Sequence, residues 1–255
     1  MDIVIIGSGN VAAVLGRKFT AAGHKIVQII SRNASAASEL AYEWDTESAN
    51  YMSLINKNAD VYIIAVSDNA LEEVITPLKL SGKVVAHTAG AVSKEVLKNV
   101  TSHYGVFYPL QSLRKEISSL PEIPVFYEGN DKLATSVLQK LAQSVSFEQA
   151  TPAGTEDRLK LHVAAVVVSN FTNHLYVLAE KYCQKEGINF HQLLPLIEET
   201  TVRLKTTSPS KTMTGPATRN DQQTIQKHLD LLKDHPHLQR IYQLLTESIL
   251  QQSKQ

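Results

Sequence analysis

Cysteine is almost missing from this chain: Cys183 is the only one in 255 residues. That excludes an intramolecular disulfide framework and a thiolate zinc cluster, and it fits a reducing compartment. An excess of charge of one sign is also lacking. Lys and Arg together number 25, as do Asp and Glu, so no global field recruits nucleic acid or an anionic membrane. Any charged ligand must then be held by local groups. Long apolar runs are missing too. The first residues carry no basic stretch, and the apolar run at 3–6 is too short for a signal peptide. The densest later run, 163–168, is far short of a membrane span. A cytoplasmic protein is expected, and Cys183, within the helical stretch YVLAEKYCQKEG, is accounted for by packing or a surface position.

What is present is an alternation. With 43% apolar and 20% charged residues the composition is that of an ordinary globular protein. Over residues 1–150, short β-branched runs alternate with helix-length segments. Strands are predicted over 3–6, 25–30, 61–66, 83–87, 105–108 and 124–128. The alternation implies parallel strands joined by right-handed crossovers, hence an α/β fold with a doubly wound, Rossmann-like sheet in residues 1–150. Beyond residue 151 the pattern changes. The flanks of VAAVVV extend a helical period on both sides, so 156–186 is too long for a strand and reads as a buried core helix. Further helices are predicted over 191–203, 221–233 and 237–252, which makes residues 151–255 an all-α domain for substrate binding or dimerisation. TPAGTED supplies the turn chemistry of a junction, TSPSKTMTGPATRND (207–221) is the longest stretch without a regular period, and the polar tail 251–255 is expected to fray.

The first apolar run leads into Gly7-Ser8-Gly9-Asn10-Val11-Ala12. In a dinucleotide-binding βαβ unit the first glycine permits a tight turn, the second lets backbone approach the pyrophosphate, and the third position must be small for helix-to-strand packing. Gly7, Gly9 and Ala12 fill those places, with a strand before and a helix after. The end of the second run decides between coenzymes. A unit for NAD puts an acid there to hold the ribose hydroxyls, whereas this chain reads Ser31-Arg32-Asn33, with no acid until Glu39. A guanidinium and a hydroxyl suit a 2′-phosphate, so NADP is the expected cofactor. A solvated surface charge is the plain alternative for Arg32. A methyltransferase would also want an acid at that strand end.

With GSGNVA, SRN, AVSDNALEEV and VVAHTAGA in view, the first domain resembles the coenzyme-binding domain of NADP oxidoreductase-like proteins, a group that includes pyrroline-5-carboxylate reductases and 3-hydroxyacid dehydrogenases. GVFYPLQSL, LHVAAVVVSNFTNHL and TMTGPATRNDQQTIQKHLDLL resemble the serial motifs of a bacterial family of NADP oxidoreductases whose helical C-terminal domain is of unknown function. The resemblance covers nearly the whole chain and implies fold and cofactor without a substrate. It also implies that the segment 66–68, Val66 and Ser67 included, lies along the coenzyme's ribose and nicotinamide; Asp68 itself, ahead of NALEEVI, reads as a helix cap in preference to a catalytic acid.

Three segments converge beyond the carboxyl ends of the strands: 66–68, 87–90 and 108–112. His87, with Thr88 and Gly90 beside it, is a candidate proton donor to a carbonyl or imine; the alternative is a strand-end histidine that bonds its own loop. Gln111 and Ser112 either position substrate or shape the loop. From the helical domain, His162 and Asn170 resemble the lysine and asparagine of the 3-hydroxyacid dehydrogenases, and on a helix 162, 166, 169, 170 and 173 share one broad face that aims His162, Ser169, Asn170 and Asn173 at one cleft. Lys160 is the substitute donor if His162 is not. Arg219 is a candidate carboxylate clamp or a loop-holding ion pair, beside Asn220 or Asp221 as a helix cap. The HPH at 235–237 lacks a third spaced ligand, so no metal is expected. The resulting expectation is an NADP-dependent oxidoreductase acting on a small carbonyl or imine in a cleft between two domains, as a homodimer. Its competitor is a non-catalytic NADP sensor with a helical dimerisation domain.

Overall fold

The computed structural model describes residues 1–116 and 119–252, so 253–255 of the expected fraying tail lie outside the described residues. The chain forms two compact units, Met1–Ser169 and Asn170–Gln255.

The first unit is built on one eight-stranded sheet: β1 (Asp2–Ile6), β2 (Lys25–Ile30), β3 (Glu47–Ala49), β4 (Val61–Ile64), β5 (Val84–His87), β6 (His103–Pro109), β7 (Val125–Gly129) and β8 (Ala150–Pro152). Their order is β3-β2-β1-β4-β5-β6-β7-β8. All neighbours are parallel except β6 and β7. The six predicted strands are present. β3 and β8 escape sequence reading because three residues are too few for an alternation to register. β7 departs from the parallel expectation because, among the described residues, no helix joins it to β6, and without a crossover the returning strand pairs antiparallel.

Helices α1 (Asn10–Ala21), α2 (Ala34–Glu43), α3 (Asp68–Ile75) and α4 (Lys132–Val145) supply the other layers. Ile3 and Ile5 of β1 belong to an apolar cluster with Leu15 and Phe19 of α1 and Leu138 and Leu141 of α4. Val4 and Ile6 point the other way, into a cluster with Leu71 and Val74 of α3. A strand buried on both faces reads as a continuous apolar run, which is why DIVII carries no alternation. The sheet order turns back between β1 and β4, and in such sheets that point opens a crevice at the strand ends.

The expected long helix exists as α5 (Thr155–Ala165), a π-helical segment (Val166–Phe171) and α6 (Thr172–Lys185). The units divide inside the π segment, beyond β8, because β8 adds to the sheet and Arg158 of α5 is fully buried in the first unit. The core-helix expectation is not met within one chain. Val163, Val168 and Phe171 are exposed, and almost none of the apolar stretch is covered. By length and composition alone, Thr155–Lys185 is apolar enough to cross a membrane, which the run 163–168 by itself did not suggest.

The second unit continues with α7 (Leu194–Arg203), α8 (Pro209–Thr212), α9 (Gln222–Leu231) and α10 (Pro236–Gln252). Cys183 is buried. Asp221 caps α9, its carboxylate accepting from the Thr224 N–H at 3.0 Å. The histidines of HPH face other groups: His235 Nε2 lies 2.8 Å from Glu186, and the His237 ring meets that of His174 edge to face.

Candidate active site

Gly7 leaves β1 with φ of 120°, a region L side chains rarely adopt. A Cβ there would fall 2.2 Å from the Ala65 carbonyl oxygen. Gly9 differs. It precedes α1 as its N-cap and a Cβ on it would meet nothing within 4 Å, so the space in front of its backbone is open. No side chain caps α1 and its first turn holds no acid, which leaves the positive end of the helix unneutralised, the arrangement that receives an anion. Ala12 is fully buried, as the third small position requires.

A cavity of about 250 Å³ opens at this turn, lined by Gly7, Ser8, Gly9, Ser31, Arg32, Val66 and Ser67, with Met52, Ala70 and Val74 among its apolar members. Ser8 Oγ and Ser31 Oγ are 2.7 Å apart, which ties the glycine turn to the end of β2. Arg32 stands on the rim with Nη1 2.8 Å from both carboxylate oxygens of Glu73. Both side chains are well exposed, so this pair is weak and exchangeable. Three of the expected coenzyme residues also have contacts within the chain. Asn10 accepts the Lys115 N–H on its Oδ1, Val11 packs against the core, and Asn33 caps α2 by accepting the Ala36 N–H at 3.1 Å. Asp68 is not the cap of α3. Ser67 holds that position, and the Asp68 carboxylate lies in the first turn, where the helix dipole favours it.

His87 is completely buried at the end of β5. Its Nδ1 accepts the Ala89 N–H at 3.2 Å and its Nε2 donates to the Ser93 carbonyl at 3.3 Å. Burial pushes its pKa down to about 4, and Arg158 adds to this while the Ser93 carbonyl and Glu128 oppose it. A neutral imidazole with both nitrogens bonded to backbone holds its own loop, the alternative reading of this residue. Gln111 likewise shapes its loop, donating to the Glu122 carbonyl at 3.1 Å.

His162 is half-buried on α5 and its Nδ1 lies 3.0 Å from the Tyr108 hydroxyl at the end of β6. In the sequence Tyr108 stands out only as part of a converging segment, because a pairing across 54 residues leaves no local signal. Gly90 makes room for it, since a Cβ there would sit 2.6 Å from the tyrosine ring. Burial raises the Tyr108 phenol, and the charge of Asp68 raises it further. Lys160 is turned to solvent in a 2.6 Å ion pair with Glu156. The expected shared face of 162, 166, 169, 170 and 173 is broken by the π segment, whose wider turn rotates the residues beyond it. Asn170, Ser169 and Asn173 are all exposed. Asn170 and Arg219 belong to the second unit. Arg219 is exposed and its charge helps to lower the Asp221 carboxyl, after the backbone and hydroxyl hydrogen bonds of Thr224.

A partly buried ionic cluster, joined across distant segments, leaves no local sign in the sequence. Arg158 is fully buried, donates to Glu128, and reaches the Ala153 carbonyl at 2.8 Å and that of Val92 at 3.2 Å. Lys94 pairs with the same carboxylate. Burial raises the Glu128 carboxyl, but the hydrogen bonds and charges of Lys94 and Arg158 outweigh this and leave it below the ordinary value.

Doubly wound sheet, glycine turn and acid-free strand end together define a dinucleotide-binding α/β protein. Residues 2–89 match the family described as NADP oxidoreductase, coenzyme F420-dependent. Residues 123–249 match a domain of unknown function, DUF2520. A solved structure of a candidate NADP oxidoreductase from Bacteroides fragilis is 36% identical, with a TM-score of 0.88 and 98% of each chain covered. The chain therefore belongs to the family of NADP oxidoreductases that join this coenzyme domain to DUF2520, and NADP is its coenzyme. The fold is shared with 1-pyrroline-5-carboxylate reductase from Streptococcus pyogenes, at 17% identity, TM-score 0.65, and coverage of 100% of this chain and 98% of that one. It is shared too with a reductive aminase from Aspergillus terreus in complex with NADPH and ethyl-5-oxohexanoate, at 15% identity, TM-score 0.70, and coverage of 98% and 94%. No curated protein matches the chain.

Proposed function

We propose that this NADP-dependent oxidoreductase transfers hydride between NADP(H) and a small carbonyl or imine compound. The observation that carries the reading is the cavity at the glycine turn, rimmed by Ser31 and Arg32 with no acid at the end of β2. Gly9 and the uncapped start of α1 receive the pyrophosphate, Ser31 and Arg32 the 2′-phosphate, and Val66 and Ser67 flank the remainder. Bound there, NADPH supplies the hydride, and the chain supplies orientation and a proton donor. Relatives of the same fold whose names specify an imine or a ketone support the substrate class. We further propose that a second copy covers the exposed apolar helix. Polar Ser169, Asn170 and Asn173 interrupt Val163, Val168 and Phe171, a mixture that suits a protein surface better than lipid.

The test is NADPH and NADH binding by the full chain and Arg32→Asp, with NADPH oxidation followed across keto acids and cyclic imines. A charge-assisted contact of about 1.5–3 kcal/mol makes the expected loss of NADPH affinity roughly ten- to a hundredfold, with NADH hardly affected and the fold intact. Unchanged NADPH affinity refutes the phosphate contact. NADPH binding without oxidation of any panel member favours the sensor.

A further inference from the structure

We infer that Tyr108, coupled to His162, is the group that gives the substrate its proton. The inference rests on the coenzyme reading above. Tyr108 ends β6, beside the loop after β5, and its ring lies against Gly90 where any side chain would displace it. The Asp68 carboxylate acts on the phenol, and Asp68 directly follows Ser67, a wall of the coenzyme cavity. The hydroxyl therefore belongs to the group of segments from the carboxyl ends of β4, β5 and β6, where open α/β sheets hold their ligands. His87, at the end of β5, has both nitrogens bonded to backbone and is not free to serve the substrate.

The chemistry balances with His162 as the Nδ1–H tautomer. Nδ1–H donates to the phenol oxygen, which frees the phenol O–H to face the substrate. As the substrate carbon gains the hydride, its nitrogen or oxygen takes the phenol proton and the O–H electron pair stays on the tyrosine oxygen. As the His162 Nδ1 proton moves to that oxygen, Nε2 takes a proton from a solvent acid, so the imidazole stays neutral throughout and the proton given to the substrate is replaced from solution. The phenol is protonated at neutral pH, the state a donor needs, and burial with the Asp68 charge raises its pKa further.

The phenol titration of Tyr108 is read in the full chain from phenolate absorbance, as the difference between wild type and Tyr108→Phe, with circular dichroism at each pH to verify folding. Saturating NADP⁺ brings a cationic ring near the phenol and is expected to lower its titration by about one pH unit, a tenfold gain in acidity; NADPH, whose ring is neutral, is not. Tyr108→Phe is expected to bind NADPH as wild type does, and to oxidise it with any accepted cyclic imine at least about a hundredfold more slowly. A phenol that titrates identically with and without NADP⁺, in a chain that binds the coenzyme, overturns the assignment. A wild-type chain that fails to bind NADPH overturns the coenzyme reading, and this inference with it.

Discussion

Replacing His87 by Gln isolates one titration that sets the acid stability of the first unit. A glutamine amide can accept the Ala89 N–H and donate to the Ser93 carbonyl as the imidazole does, but it never ionises. In the folded chain burial holds His87 at about 4, against about 6.5 in an unfolded chain. Between those values the unfolded state binds the additional proton, so stability rises with pH and is lost as pH falls. The loss begins near pH 6.5, amounts to about 2 kcal/mol at pH 5, and levels off near 3 kcal/mol below pH 4. Trp44, the single tryptophan, lies in the same unit, so urea unfolding followed by its fluorescence at pH 7.5 and pH 5 reads the effect. Wild type is expected to lose about 2 kcal/mol more than His87→Gln between the two conditions. Asp131 and His24 titrate in both chains and cancel in the difference, and Glu128, whose carboxyl lies below its ordinary value, stays largely ionised between the two conditions. Equal losses in the two proteins would mean that His87 protonates freely in the folded state and is not held as a neutral donor to Ser93.

Two further outcomes are expected from other parts of the molecule. Arg158→Met removes one partner of a buried pair and leaves Glu128 to Lys94 alone, so urea melts should show a loss of roughly 3–5 kcal/mol, partly recovered in Arg158→Met/Glu128→Gln; a single variant as stable as wild type contradicts the cluster's role. Sedimentation of the purified chain should give twice the 28.1 kDa monomer mass, and Val168→Glu should shift it toward monomer, whereas a monomeric wild type rejects the second copy as the cover of that helix.

Much of the cavity at the glycine turn was legible because its residues are local. Gly7, Gly9 and Ala12 act through their own lack of side-chain bulk, and Ser31 and Arg32 come after a strand whose end meets the crevice, so neighbours in sequence are neighbours in the cavity wall. The short strands β3 and β8 and the antiparallel β7 were not legible, since pairing is settled by what lies beside a strand rather than within it. The broad helical face failed for a related reason: a π segment of six residues changes the rotation of everything after it, and nothing in residue spacing announces it.

By itself, then, the sequence determined the doubly wound sheet, the glycine turn and the preference for a 2′-phosphate, because periodicity, glycine conformation and a missing carboxylate are properties of contiguous residues. Only the tertiary structure decided that His87 is spent on its own loop, that Arg32 waits in an ion pair with Glu73, and that Tyr108 meets His162. Those outcomes depend on burial and on partners far apart in the chain, and both come into being only when the sheet and α5 have packed.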